Sequence, residues 1–293
     1  MPSGNLIDLR RRVRSVKNIQ QITRAMKFVS ASRLRRAQER VLAARPYANR
    51  MLSVLNSLAT RVDPSSHPLL AERDGDRIML VVITADKGLC GAFNSNLIRS
   101  AVRFIEGEAV NRSLSLALVG RKGYEWFRHR PWPIRHQYLN VMSRISYDYA
   151  REVGGLLVEY FAASELDSVY LVYNEFKSVI SQKVVIEPLL PIRRLELADD
   201  RVALDYIYEQ PPQVIFDRLL PRHVEIQLFR AMLESEAAEQ GARMTAMDSA
   251  TRNAKEMIES LTLQMNRLRQ ASITTELIEI VSGASALQEA RSE

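Results

Sequence analysis

The chain of 293 residues has one cysteine, Cys90, and little proline at its two ends. A single thiol excludes an internal disulfide framework and suits a reducing compartment. No proline lies between Pro2 and Pro46, and none follows Pro221, so nothing there interrupts a long helix. No run of 18 apolar residues occurs, which excludes a transmembrane helix on hydropathy. The opening MPSGNLIDLRRR carries charge without an apolar core behind it, so neither a secretory signal nor a transit peptide is expected. Acidic residues are also scarce at the start. The first 50 residues hold 13 lysines and arginines against Asp8 and Glu39, while the whole chain is only +7. A basic arm on a mildly acidic body implies an acidic partner: nucleic acid, anionic lipid or an acidic protein surface.

The two ends carry helical periodicity. Leu6, Leu9, Val13 and Val16 form one block, Ile19, Ile22, Met26 and Val29 a second, and Leu34, Ala37, Val41, Ala44, Ala48, Met51, Leu55 and Leu58 a third. Steps alternate three and four within each block, the pattern of a coiled-coil seam, with a phase slip between blocks. Pro46 is expected to kink the last block. Near the other end, Met244, Met247, Thr251, Ala254, Ile258, Leu261, Met265 and Leu268 form a matching seam. After another slip, Ile273, Leu277, Ile280, Ala284 and Leu287 continue it. Such helices exceed what a compact domain buries, so they must pack on each other or on a partner.

The centre has another rhythm. RIMLVVIT, LSLALVG and DSVYLVYNEF are short β-branched runs of the buried-strand type. Helical patterns, FNSNLIRSAVRFIEG, RKGYEWFRHR and SYDYAREVGGLLVEYFAAS, lie between them. Alternating strand and helix predicts a mostly parallel, Rossmann-like α/β sheet. KSVISQKVVIEPLL reads as a further strand in a hairpin with its predecessor. The expected fold class is therefore α/β plus a long antiparallel coiled coil. Residues 1–62 form the N-terminal helix, 73–209 an inserted α/β domain, and 210–293 the C-terminal helix that pairs with 1–62.

ITADKGLCGAFNSN (83–96), at the first strand-to-helix turn, has the look of a ligand loop but matches no template. Lys87 precedes Gly88 instead of following a second glycine, and GxGxxG is absent. Cys90 has no histidine in a recognisable motif with it. His129 and His136 flank RPWPIR with too few other ligands for a metal site. No catalytic residue, cofactor or metal is expected. On residues alone, a nucleotide-binding α/β enzyme and a basic coiled-coil nucleic-acid binder remain as alternatives to a chain that binds a specific acidic protein partner.

VKNIQQITRAMKFVSASRLRRAQ (16–38), ITADKGLCGAFNSNL (83–97), ARMTAMDSATRNA (242–254) and RQASITTELIEIVSGASAL (269–287) closely resemble the gamma subunit of F-type ATP synthases, end to end and in the family's order. The resemblance implies a noncatalytic rotor shaft that couples ion-driven rotation of the membrane c-ring to ATP synthesis or hydrolysis at the beta subunits. It implies a hexamer of three alpha and three beta subunits around one such chain, with an epsilon subunit and the c-ring below. It implies neither nucleic acid nor membrane insertion, and a peripheral place on the cytoplasmic face of a bacterial membrane. By position in the family's motifs, Met26, Lys27, Arg243, Arg269, Gln270, Thr274 and Glu276 are the expected contacts with alpha and beta.

Overall fold

A computed structural model describes residues 2–59, 67–179, 181–192 and 210–289. The chain runs α1 (Pro2–Ala59), β1 (Arg77–Ile83), α2 (Phe93–Gly107), β2 (Ser113–Val119), α3 (Arg121–Phe127), β3 (Ile134–Tyr138), α4 (Tyr147–Ala162), β4 (Ser168–Phe176), β5 (Gln182–Leu190) and α5 (Pro212–Glu289). Helix is assigned straight through Pro46 in α1 and Pro221 in α5. The expected boundaries at 62 and 209 lie outside the described residues, as does Ile180 in the segment between β4 and β5. The chain divides into two compact units: the part of α1 up to Val29 with α5 from Ala246 on, and Ser30–Thr245.

The larger unit is built on a five-stranded sheet of order β3-β2-β1-β4-β5, parallel except for the β4–β5 hairpin. β1 is central and every residue after Arg77 is buried, as expected when both faces of a parallel sheet are covered. Its side chains alternate. Ile78, Leu80 and Val82 pack with Leu97, Ala101 and Phe104 of α2 on one face. Met79, Val81 and Ile83 join Phe161 of α4, Leu34–Leu58 of α1 and Phe216–Ala237 of α5 on the other. α3 stops at Phe127 rather than running on to Arg130. β3, IRHQY, was not among the expected strands: it alternates partly buried and exposed residues at the sheet edge, so no apolar run marks it.

The smaller unit is an antiparallel pair of helix segments. Thr251 Oγ1 lies 2.8 Å from Thr23 Oγ1, and Lys27 Nζ lies 2.6 Å from Asp248 Oδ1. The seam differs from the expected one. Burial steps from Leu6, Leu9, Val13 and Val16 to Gln20, Thr23, Lys27 and Ser30, then to Leu34, with no phase slip. Ile19, Ile22 and Val29, expected inside, are at least half exposed, and Met26 is partly buried. Polar side chains hold the register for four steps, so an apolar-only pattern drifts one residue off it.

On α5 the seam from Met247 to Leu268 is as expected and continues to Ser272. Ile273, Leu277, Ile280 and Ala284 are exposed, and the side chain of Leu287 lies outside the described residues. The reason is length. With Thr23 opposite Thr251, Leu6 falls opposite residues near Leu268. Past Ser272 no described residue of α1 is left to pair with α5.

Candidate functional site

The loop after β1 organises the end of the sheet where α/β folds carry their ligands. Thr84, fully buried, accepts the Gly123 amide at 2.8 Å and donates to the Val119 carbonyl at 3.2 Å. Asp86 accepts amides from Arg121 (3.0 Å), Asn140 (2.8 Å) and Met142 (3.0 Å), tying the segments after β2 and β3 to the one after β1. Gly120 turns β2 into α3 with φ +94°, and a Cβ there would lie 2.1 Å from the Thr84 carbonyl oxygen, so only glycine fits.

Strand order reverses between β1 and β4, and the crevice beyond their C-terminal ends is the usual ligand position. Here α5 occupies it. Ser235 Oγ accepts the Asn174 amide at 3.2 Å and Glu234 accepts the Phe176 amide at 3.1 Å. Ala238 packs with Ala85, Cys90 and Phe93. Arg243 reaches the carbonyl oxygens of Gly88 at 3.1 Å and Lys87 at 3.4 Å, and is ion-paired to Glu239 at 2.6 Å. The residues that fill the site thus come from the same chain.

Cys90 does not have the setting of a nucleophile. It is 2% exposed, its sulfur accepts from Asn94 Nδ2 at 3.3 Å, and burial pushes its thiol up, away from the thiolate. His129 is exposed beside Arg128, and His136 bonds the Tyr160 hydroxyl at 2.9 Å. No group of three metal-type side chains forms among the described residues. His223 is buried, with its Nδ1 unpartnered. Burial, helped by the Arg230 charge, lowers it to about 4.

The seven expected contact residues fall into three places. Met26 and Lys27 sit on α1, with Lys27 paired to Asp248. Its hydrogen bond is the main reason the Asp248 carboxyl is lowered. Arg269, Gln270, Thr274 and Glu276 are all exposed within two turns of α5. Thr274 Oγ1 donates to the Gln270 carbonyl at 2.9 Å, and Glu276 accepts from Ser272 Oγ at 3.2 Å. From Asp248 to Arg269 the helix rises about 32 Å, so the structure does not bring the α1 pair and this group together. Arg243 belongs to neither, being buried in the larger unit.

Part of the basic arm is used internally, which residue counting alone misses. Arg40 bonds Glu236 at 3.0 Å and the Ile145 carbonyl at 2.6 Å, and Arg45 bonds Glu234 at 3.1 Å. Arg10, Arg11, Arg12, Arg14, Lys17 and Arg24 remain exposed.

A family model described as ATP synthase matches residues 5–287. The ATP synthase gamma chain of Geobacter sp. (strain M21) is 50% identical over 286 residues, covering 97% of this chain and 99% of that one. The ATP synthase gamma chain of Solibacter usitatus (strain Ellin6076) is 51% identical over 292 residues, covering 98% and 100%. Among solved structures, a chain of the central stalk and c-ring of Tetrahymena thermophila mitochondrial ATP synthase aligns with TM-score 0.60 at 26% identity, over 78% of this chain and 99% of that one. A chain of Euglena gracilis mitochondrial ATP synthase, in rotational state 3, shares the fold with TM-score 0.69 at 21% identity, over 99% and 96%. The chain belongs to the ATP synthase gamma-chain family.

Proposed function

We propose that this chain does mechanical work alone, transmitting rotation while making and breaking no bond itself. As a gamma chain it is the rotor subunit that links turning of the c-ring to ATP synthesis or hydrolysis in the catalytic sector. The observation that carries the noncatalytic reading is the filling of the β1–β4 crevice by Glu234, Ser235, Ala238 and Arg243 of α5. A ligand entering there would have to displace the chain's own buried polar contacts.

One such chain turns inside three alpha and three beta subunits, with epsilon and the c-ring at its base. It rides at the cytoplasmic face of a bacterial membrane and is driven by protons or sodium ions. Residues 1–62 and 210–293 serve as the shaft and 73–209 as the body. Met26, Lys27, Arg269, Gln270, Thr274 and Glu276 meet alpha and beta directly. Arg243 belongs with them by its place in the ARM motif, and its buried side chain makes its contribution indirect. A single asymmetric shaft necessarily offers three identical partners different surfaces. Those differential contacts are what shift the partners between states.

The test is to mix the purified full chain with purified alpha and beta subunits. One copy per three of each is expected in the complex, together with no ATP turnover by the chain alone. Turnover by the isolated chain, or salt-sensitive DNA binding without a complex, overturns the proposal.

A further inference from the structure

We infer that Arg243 is a positioning residue that latches the loop between β1 and α2 onto α5, and that the chain's single cysteine lies beneath the latch. The guanidinium holds two consecutive carbonyl oxygens: Gly88, reached by Nη2 at 3.1 Å and by Nε at 3.4 Å, and Lys87, reached by Nη2 at 3.4 Å. It is itself held by Glu239 at 2.6 Å, and both side chains are buried on α5 one turn apart. The carboxylate is held through the same Nη2 that reaches the carbonyls, so the direction of the bracket this pair forms is set by the planar Nε–Nη2 edge of the guanidinium.

What the bracket restrains is unfavourable by itself. Leu89, the residue after the second held carbonyl, has φ +62°, and Gly91 has φ +58°. A leucine adopts the left-handed region only where its surroundings impose it. Leu89 also points its side chain into solvent, so no burial of its own repays that conformation. Under the turn, Cys90 lies against Ala85, Phe93 and Ala238. Asn94 closes the other side, donating to the sulfur at 3.3 Å and accepting the Ala85 amide at 3.0 Å. Releasing the two carbonyls lets the turn relax and uncovers the thiol. The latch is internal to the chain and does not depend on the rotor reading. It explains how a buried residue can matter at a partner surface: it acts through the loop it holds.

Because Cys90 is the single thiol, its alkylation rate by iodoacetamide in the native full chain, compared with the rate in the urea-unfolded chain and followed over pH because the Arg243 and Glu239 charges also act on the thiol, reports loop opening. Four chains are compared: the parent, R243K, the double variant E239Q/R243A, and L157A. The double variant avoids stranding a buried carboxylate. The remote variant L157A lowers global stability from the α4 core, as urea denaturation measures. Labelling is expected to rise about tenfold in E239Q/R243A, the scale set by losing charge-assisted hydrogen bonds. R243K should fall between, since an ammonium keeps the ion pair but loses the fork. L157A should label like the parent. Equal labelling of the double variant and the parent overturns the latch. So does L157A labelling as fast as the double variant, since the thiol would then report general loosening.

Discussion

Thr251 Oγ1 sits 2.8 Å from Thr23 Oγ1, in the middle of a helix seam where an aliphatic pair would be ordinary. Each hydroxyl also has a carbonyl on its own helix: Gln20 at 3.1 Å for Thr23 and Met247 at 2.7 Å for Thr251. Separating the helices therefore leaves neither hydroxyl unbonded, and the pair adds little to stability. Replacing both partners with isosteric valine removes the polar atoms together. T23V/T251V is expected to unfold at or above the parent's stability, by up to about 1 kcal/mol. A thermal melt followed by circular dichroism decides this, and a clear loss in the double variant contradicts it.

The seam register can be tested by substitution at adjacent positions. If Gln20 lies inside and Ile22 outside, Q20L gains buried apolar area and stabilises by about 1 kcal/mol. I22Q changes an exposed side chain and stays within about 0.5 kcal/mol. The opposite outcome, with I22Q strongly destabilising, restores the apolar-only register.

Gly120 leads from β2 into α3 with φ +94° and no room for a methyl group beside the Thr84 carbonyl. G120A combines backbone strain with a clash against backbone that cannot yield, and should cost more than about 2 kcal/mol in urea denaturation. G107A, where a new Cβ meets nothing, should be neutral or slightly stabilising.

His223 makes stability depend on pH. Its folded-state value of about 4 lies below the ordinary 6.5. The unfolded chain therefore takes up the proton first, and the neutral side chain's contribution, intact above pH 6.5, drains away as pH falls toward 4. Between pH 7 and pH 5 the parent should lose about 2 kcal/mol more than H223L. Comparing the two chains isolates this residue from Glu236 and Glu239, whose carboxyls burial pushes up and which change stability in the opposite sense. Parallel pH profiles for parent and variant refute it.

Some elements announce themselves in the residues and others do not. FNSNLIRSAVRFIEG matches the bounds of α2, because an apolar stripe of period 3.6 lies between a turn and a glycine. β1 and β2 are equally plain as apolar runs. β3 is not, because an edge strand with one half-covered face needs no continuous apolar stretch. The seam is legible where aliphatic residues have a partner helix opposite, as from Met247 to Leu268, and is lost from Gln20 to Ser30, where hydrogen bonds and an ion pair replace burial, and past Ser272, where α1 has run out. The site shows the same division. Its lack of a phosphate-loop or metal pattern is readable locally. That α5 fills the crevice, and that Arg40, Arg45 and Arg243 spend their charge inside the chain, depends on partners 58 to 196 residues away.

The pairing of Thr23 with Thr251 spans 228 residues, and a ribosome adding about 5–20 residues per second needs roughly 10 to 45 seconds to cover that distance. Throughout that interval the nascent α1 carries Leu6, Leu9, Val13 and Val16 with nothing to cover them, while the α/β sheet can already be complete. Gln20, Thr23, Lys27 and Ser30 then have a second use: they break the sticky stripe of a helix that must wait. Closure comes with the last sixth of the chain, so a translation product cut short before Ala246 is expected to keep its sheet but to display an open, protease-sensitive arm.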